Sequence, residues 1–246
     1  MRSLDWLLDP ASGDLTVAGS PPEEALAILR DLLPPPQGRD CARPLGLDRP
    51  IAADAALETN PGDGRASVRI HGIAHGAIGC GPGRRSVVQF QGCDRGCPGC
   101  GAAQARDPEG GVVLAAGRVA ELLLDPAGLP RDGVSILGGE PFLQPKGLAV
   151  LLRALRADGS SHVVLYSGYT WEELNRWGEG EPDVADSLVL ADWLVDGPFV
   201  RALTENSIPW AGSRNQRLID LAASRTLGRA VVLEPIPLEG ADGHQC

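Results

Sequence analysis

Three cysteines in one short segment are the side chains of this chain with the most evident chemistry. Of six cysteines in 246 residues, Cys93, Cys97 and Cys100 fall within "QGCDRGCPGC". Thiolates are soft ligands, and the centres that they select are zinc, copper(I) and iron–sulfur clusters. The spacing Cys-x3-Cys-x2-Cys lacks the second Cys-x2-Cys pair of a closed zinc site, although a remote histidine could supply a fourth ligand. A zinc site therefore stays open as one interpretation.

An iron–sulfur cubane explains why the segment holds three thiols and no fourth. Three thiolates bind three of the four irons and leave the last iron without a protein ligand, open to another molecule. Glycines in the segment allow tight turns that direct backbone amides at the sulfides. These glycines are Gly92, Gly96, Gly99 and Gly101. The spacing favours a cluster of this kind.

The segments around this loop alternate between strand-like and helix-like patterns from about residue 85 to residue 200. Strand-like runs such as "SVVQFQG", "GVSILGG" and "HVVLYSG" are separated by amphipathic runs such as "AAGRVAELLLD" and "QPKGLAVLLRALRADG". Such alternation predicts an α/β fold with a parallel sheet and crossover helices. About five units are too few for the eight of a closed barrel, so we expect a partial (β/α) barrel or a curved open parallel sheet.

The Gly-rich and polar segments that follow the predicted strands belong to one edge of that sheet. They read "QGC", "GGEP", "YSGYT" and "VDGPF". Because parallel strands end at the same edge, where α/β folds bind ligands, the candidate chemistry gathers on one rim. Two of these segments also have a purely structural interpretation. Glu140 and Pro141 suit the start of a helix near Phe142, and Thr170 suits a helix N-cap.

The first 66 residues differ in composition from the rest of the chain. "PPEEALAILRDLLPPP" predicts a short amphipathic helix bounded by prolines, and a stretch rich in Asp, Ala, Pro and Gly follows it. We expect an N-terminal appendage and linker over residues 1–66, the partial barrel over residues 67–236 and a C-terminal tail over residues 237–246.

Composition and charge argue against some classes of function. The net charge is −10, with 32 acidic and 22 basic residues, which is unlike a nucleic-acid or anionic-membrane surface. No run approaches the roughly 20 apolar residues of a membrane span, and the N-terminus lacks a signal-peptide layout. We therefore expect a cytoplasmic protein with reduced thiols and a small-molecule or protein partner. Cys41, Cys80 and Cys246 are scattered along the chain and are expected to be free thiols.

The cysteine loop and the segment "GGEP" about 40 residues later resemble the radical S-adenosylmethionine (SAM) superfamily. Further segments narrow the resemblance. "GCGPGRRSVVQFQGCDRGCPGC", "LYSGYTWEEL", "LVDGPF" and "GSRNQR" are similar, in this order, to the activating enzymes of glycyl-radical enzymes, and most of all to that of anaerobic ribonucleotide reductase. The resemblance covers roughly residues 67–220 and leaves out both ends of the chain.

This resemblance implies two cofactors and a reaction. A 4Fe-4S cluster on Cys93, Cys97 and Cys100 would bind the methionyl end of SAM through its open iron. One electron would then cleave SAM to methionine and a 5′-deoxyadenosyl radical, which takes a hydrogen atom from the substrate. No catalytic side chain is implied beyond the cluster and the SAM site. The implied SAM contacts are Gly138, Gly139, Glu140 and Pro141 to the methionyl group, Ser167 to a ribose hydroxyl, Asp196 to the ribose or methionyl group, and the backbone of Gly99 and Gly101 near the adenine.

The resemblance also implies partners for this oxidoreductase chemistry. The hydrogen atom would come from a glycine of a large glycyl-radical enzyme, and the electron from a donor such as flavodoxin or ferredoxin. Two alternatives stay open. One is a radical SAM tailoring enzyme that acts on a peptide or small metabolite. The other is a non-catalytic iron–sulfur or zinc-binding module, which would cleave no SAM.

Overall fold

The chain folds into two compact units, residues 1–40 and 41–246. The computed structural model describes residues 5–8, 15–18, 66–125, 131–157, 162–204 and 209–233. In the first unit, strands β1 (Asp5–Leu8) and β2 (Leu15–Ala18) pair in antiparallel fashion, a pairing that the sequence patterns did not predict. The helix expected over residues 21–36 and the tail over residues 237–246 lie outside the described residues, and the domain boundaries proposed from sequence stay predictions.

The second unit is built on one seven-stranded sheet. Its strands are β3 (Ser67–Ala77), β4 (Arg85–Phe90), β5 (Val112–Ala115), β6 (Gly133–Gly138), β7 (His162–Tyr166), β8 (Trp193–Asp196) and β9 (Arg217–Asp220). Their spatial order is β5-β3-β4-β6-β7-β8-β9. Strands β4, β6, β7 and β8 are parallel, as the alternating pattern predicted. The flanking strands β3, β5 and β9 pair in antiparallel fashion, which the pattern did not predict.

Among the described residues, four helices lie in the connections between the parallel strands, a fifth follows β9, and helices cover one face of the sheet. They are α1 (Ala116–Leu124), α2 (Pro145–Ala157), α3 (Trp171–Gly178), α4 (Pro182–Leu190) and α5 (Leu221–Leu227). Buried side chains recur at helical spacing in α2, including Leu148, Leu151, Leu152 and Leu155. These leucines belong to one large core together with Phe90 and other strand residues. The α/β class with an open sheet is confirmed. In the described part of the chain no helix is long and apolar enough to cross a bilayer.

The other face of the sheet carries a smaller apolar cluster and a pocket. Alternate residues of a strand point to opposite faces, so each strand serves both sides. In β7, Val163 and Leu165 join the large core, whereas Val164 belongs to the second cluster with Val195 and Leu218. The pocket lies on this second face, among side chains such as those of Gln89, Leu137 and Tyr166.

A buried arginine fixes the amino ends of the parallel strands. Arg85 is 1% exposed, and its Nε donates to Ser135 Oγ at 3.0 Å. The Ser135 hydroxyl in turn donates to the carbonyl of Cys80 in the β3–β4 loop. Burial lowers the pKa of Arg85 to about 10, so the side chain is still a cation at neutral pH. Its other acceptors are the carbonyls of Pro82, Val134 and His162, at 3.3, 2.6 and 2.9 Å.

Candidate functional site

One pocket of about 360 Å³ collects most of the residues to which the sequence assigned chemistry. It extends from the loop after β4 to the β3–β4 loop. The predicted site residues on its wall are Cys93, Cys97, Cys100, Gly101, Gly138, Gly139, Glu140 and Ser167. Gly99, Pro141 and Asp196 are not among its lining residues. The structure thus brings the cysteine loop, the "GGEP" segment and the loop after β7 to one cavity.

The cysteine loop is held at its base by backbone hydrogen bonds. The N–H of Gly92 donates to the carbonyl of Ala105 at 2.8 Å, and that of Cys93 donates to Arg106 at 3.1 Å. Both acceptors belong to the turn at residues 103–106, through which the chain returns after Cys100. This turn therefore closes the segment that bears the thiols into a compact loop.

The three thiols fit an iron–sulfur cluster better than a closed zinc site. All three are free and partly exposed on the pocket wall. Burial raises the pKa of the Cys93 thiol, while the N–H groups of Arg95 and Gly96 donate to its sulfur and oppose that rise. Amide donors of this kind are typical of the surroundings of cluster thiolates. Among residues with described positions, no three or more His, Cys, Asp or Glu side chains are grouped to hold one metal ion.

The two histidines that could supply a fourth zinc ligand lie away from the thiols. His71 and His75 both lie in β3, and neither lines the pocket. The Nδ1 of His71 is 3.2 Å from Gln91 Oε1, and that of His75 is 3.0 Å from Ser86 Oγ. The structure therefore does not bring a histidine from β3 to the cysteine loop.

The two glycines of "GGEP" allow the end of β6 to approach the base of the cysteine loop. Gly138 has φ +114°, and a Cβ there would lie 2.5 Å from the backbone N and O of Phe90. A Cβ on Gly139 would lie 2.2 Å from the carbonyl oxygen of Gly92. The close approach lets the N–H of Glu140 donate to that same Gly92 oxygen at 2.8 Å. Only glycine fits at these positions.

The Glu140 side chain is fully buried and joins the ends of β6 and β7. Its carboxylate accepts from the N–H of Gly168 at 2.8 Å, from the N–H of Phe142 at 3.1 Å and from the Ser167 hydroxyl at 3.0 Å. Burial raises the pKa of Glu140 to about 7, and these three bonds limit the rise. The structural interpretation of "GGEP" also holds, since Glu140 caps the short helix Pro141–Leu143, where Pro141 is buried.

The loop after β7 has its polar groups engaged in local bonds. Ser167 is 5% exposed, and its oxygen accepts from the N–H of Tyr169 at 3.0 Å while its hydroxyl donates to Glu140. The predicted N-cap is confirmed. Thr170 Oγ1 accepts from the N–H of Glu173 at 3.2 Å, and the Glu173 carboxylate accepts from the N–H of Thr170 at 2.7 Å.

Asp196 does not line the pocket, and its carboxylate accepts hydrogen bonds from neighbouring residues. It is 1% exposed, and its carboxylate accepts from the N–H of Trp171 at 2.7 Å and from Arg217 Nε at 3.0 Å. Arg217 also pairs with Glu172 at 2.6 Å. The backbone of Gly99 packs against the Arg201 side chain, since a Cβ on Gly99 would lie 2.9 Å from Cδ of that arginine.

Several pocket residues escaped the sequence reasoning. Arg95 lies inside the cysteine loop, and Phe199 ends the "VDGPF" segment. Their position in these two segments could therefore have identified them as pocket residues. Gln216, in the "GSRNQR" segment, lines the pocket, and its Nε2 donates to the carbonyl of Gly197 at 3.0 Å. Trp210 lines the wall with φ +66°, a conformation that no local pattern indicates. Other lining residues to which the sequence assigned no binding role include Ile78, Cys80, Gln104 and Arg106.

Comparison with the sequences of known proteins agrees with this arrangement. The 4Fe-4S single cluster domain family matches residues 80–219, which hold the three clustered cysteines and the other rim segments. The anaerobic ribonucleoside-triphosphate reductase-activating protein of Escherichia coli K12 is 31% identical over 142 residues, 55% of this chain and 88% of that protein. The pyruvate formate-lyase-activating enzyme of Clostridium pasteurianum is 35% identical over 107 residues, 41% of this chain and 44% of that enzyme. Among solved structures, QueE from Escherichia coli superposes with a TM-score of 0.35 at 16% identity, over 42% of this chain and 53% of that one.

Proposed function

Because this chain belongs to the radical SAM family of single-cluster 4Fe-4S proteins that includes the anaerobic ribonucleoside-triphosphate reductase-activating proteins, we propose that it generates a glycyl radical on a partner enzyme. One observation carries the proposal. Three thiols from one loop, a close-packed Gly-Gly strand end and a serine loop share the wall of one pocket. This combination supplies ligands for a cluster and polar backbone for a second cofactor beside it.

The cluster would be held by Cys93, Cys97 and Cys100, whose thiolates leave one iron for SAM. When bound, the cluster would pass one electron from an external reductant to SAM, which would be cleaved to methionine and a 5′-deoxyadenosyl radical able to take a hydrogen atom from the substrate. The role of the protein is to place the thiols, to present the backbone of Gly138 and Gly139 to the methionyl group, and to limit access of water.

Glu140 would act through its charge and its hydrogen bonds. Its oxygens accept from the chain itself, so the contribution to SAM is the negative potential at the pocket wall together with the backbone at this position. An ammonium group bound nearby would favour the carboxylate and lower the pKa of Glu140 below about 7. Pro141 then contributes by starting the short helix behind the wall.

The nucleoside side of SAM would face the other rim residues. Ser167 lies on the wall and is proposed to meet the ribose, and Gly101 lies there next to the last cysteine. Contacts from Gly99 to the adenine and from Asp196 to the ribose stay predictions. What supports a role for Asp196 is its place at the end of β8, where it holds Arg217 and the first turn of α3.

The substrate is proposed to be a glycine in a polypeptide segment of a glycyl-radical enzyme. The activating proteins of the anaerobic reductase and of pyruvate formate-lyase are the relatives that support this class of partner. A small reduced carrier such as flavodoxin or ferredoxin is the proposed electron donor. The net charge of −10 supports neither a nucleic-acid nor a membrane partner, and we propose a cytoplasmic location.

Anaerobic reconstitution with iron and sulfide tests the proposal. The wild-type protein should bind one 4Fe-4S cluster and, with dithionite and SAM, release 5′-deoxyadenosine. Cys97→Ala should lose both the cluster absorbance and the product, because a corner of the cubane then has no ligand. Cys41→Ala is the matched control, since Cys41 lies outside residues 80–219, and it should keep both. A cluster-loaded wild-type protein that releases no 5′-deoxyadenosine would contradict the enzyme assignment.

Electron paramagnetic resonance separates the proposed substrate from the tailoring alternative. Incubation of the reduced protein and SAM with a candidate anaerobic reductase should produce a glycyl-radical signal on the reductase. Release of 5′-deoxyadenosine without that signal on any glycyl-radical enzyme tested, but with consumption of a peptide or metabolite, would instead favour a tailoring enzyme.

A further inference from the structure

The turn between the first two clustered cysteines contacts a tyrosine from the loop after β7. The Tyr169 hydroxyl donates to Asp94 Oδ2 at 2.5 Å. The guanidinium carbon of Arg95 lies 4.4 Å from the centre of the Tyr169 ring. A hydrogen bond to a carboxylate and a cation–π contact are both among the stronger side-chain interactions available to an accessible loop. Two consecutive residues between Cys93 and Cys97 therefore bind one aromatic side chain.

Tyr169 is itself fixed from the side of the sheet. Its ring meets that of Trp177 in α3 at 5.5 Å in an edge-on arrangement. Its backbone N–H donates to Ser167 Oγ at 3.0 Å, and its carbonyl accepts from the N–H of Gly197 at 3.1 Å. Asp94 is exposed and lies on the loop. The tyrosine is thus the anchored partner, and the cysteine turn is the part that it holds.

The same two loops also meet through Gly168. A Cβ on Gly168 would lie 2.8 Å from Cγ of Arg95, so the stem of this arginine packs directly on the backbone of the loop after β7. Gly168 is bound to Glu140, and the N–H of Glu140 is bound to Gly92 at the base of the cysteine loop. These contacts form a closed circuit around the rim of the pocket, in which Tyr169 binds the cysteine turn through its side chain.

We propose that Tyr169 is a positioning residue that holds the Cys93–Cys97 turn, through Asp94 and Arg95, against the loop that faces the nucleoside side of the pocket. This rests on the proposed function, because it takes the thiols as cluster ligands and Ser167 as a neighbour of SAM. It has two consequences. The cluster is retained longer because the turn that carries two of its ligands is held. Cluster and SAM also stabilise each other, because whatever orders one loop orders the other.

The rate at which a ferrous chelator removes iron from the reconstituted protein tests the proposal. Tyr169→Phe keeps the ring for Arg95 and removes the hydroxyl, and Asp94→Asn removes the charge that the hydroxyl meets. Each should lose iron roughly three- to tenfold faster than wild type, as expected for one lost charge-assisted bond. The double variant should lose iron no faster than either single variant, because both act on one contact. Asp183→Asn, which alters a surface pair with Arg153, is the control and should behave as wild type.

SAM provides the second measurement, which a merely structural role would not change. SAM should slow iron release from wild type, and this protection should be reduced in Tyr169→Phe, while the melting temperature of the metal-free protein changes little. The proposal would be overturned by any of three results: wild-type rates of iron release in both single variants, additive rate increases in the double variant, or full SAM protection in Tyr169→Phe. A wild-type protein that shows neither SAM protection nor 5′-deoxyadenosine would instead contradict the proposed function, and the rates without SAM would still decide whether Tyr169 holds the turn.

Discussion

Replacement of Gly139 by alanine should displace the base of the cysteine loop. The added Cβ would lie 2.2 Å from the Gly92 oxygen and 2.8 Å from the Ala105 oxygen. Real Cβ atoms stay at least 3.0 Å from such atoms, so one backbone must move by roughly 0.8 Å. The neighbours are backbone atoms of a hydrogen-bonded loop and cannot rotate away as a side chain could. The strain is therefore relieved only by moving the loop itself.

The expected loss of stability follows from those contacts. Forcing one extra carbon into a packed site costs about 1 to 3 kcal/mol. A shift of Gly92 weakens its bonds to Glu140 and Ala105, both 2.8 Å long, and each such bond contributes about 1 kcal/mol. The free energy of unfolding should thus fall by about 3 kcal/mol, which lowers the melting temperature of a chain of this size by about 10 °C.

Thermal unfolding of the metal-free protein and iron content after reconstitution measure the two effects. Gly139→Ala should melt early and bind less iron per chain than wild type. Gly117→Ala in α1 is the matched control, because a Cβ there meets nothing within 4 Å and alanine favours a helix by up to about 1 kcal/mol. A Gly139→Ala protein with the wild-type melting temperature and full iron content would refute the reasoning.

Three further predictions concern buried or local bonds. Because burial raises the pKa of Glu140 from 4.5 to about 7, the stability that its protonated form provides is fully present below about pH 4.5 and is lost as the pH rises through 7. That loss is up to about 3 kcal/mol, and Glu140→Gln should abolish it. Urea unfolding of the metal-free protein at pH 5.5 and pH 8 measures this difference in unfolding free energy. An equal difference in wild type and in Glu140→Gln would contradict the assignment. Thr170→Ala should cost about 1 kcal/mol through the lost N-cap, measured by the same unfolding, while iron binding stays at the wild-type level. Arg85→Met should lower the free energy of unfolding by about 3 kcal/mol, because the buried acceptors of Arg85 lose their donor. Arg85→Lys should have a stability between those of wild type and Arg85→Met. An Arg85→Met protein as stable as wild type would show that the buried guanidinium is dispensable.

The parts of the site that sequence could predict are those encoded within a few residues. The cysteine spacing, the glycines of "GGEP" and the Thr170 cap each depend on neighbours close in the chain. The structure forms the cap and brings the cysteines and glycines to one pocket, while their contacts to a cluster and SAM stay predictions. The central parallel strands were likewise visible, because β-branched runs alternate with amphipathic helices. Local spacing is a physical constraint that a single sequence displays directly.

The parts that escaped prediction depend on residues that are distant in sequence. Tyr169 is 75 residues from Asp94, so neither local sequence indicates that the two side chains are in contact. The antiparallel direction of β3 relative to β4 depends on how the two strands pair in the folded sheet. Tertiary packing determines this pairing, and strand propensity does not. The same holds for two of the groups that donate to the Glu140 carboxylate: the Ser167 hydroxyl and the Gly168 N–H come from the end of another strand and occupy oxygens that the motif would offer to a ligand.

The antiparallel pairing of β3 with β4 has a consequence for the pocket wall. A parallel neighbour would need a crossover of about a dozen or more residues, whereas here residues 78–84 make the connection, and Ile78 and Cys80 in it line the pocket. The loop is anchored to the sheet through its backbone, since the carbonyls of Cys80 and Pro82 accept from Ser135 and Arg85. Because those bonds use main-chain atoms, a substitution at Ile78 can reshape the pocket wall while the anchoring bonds are kept.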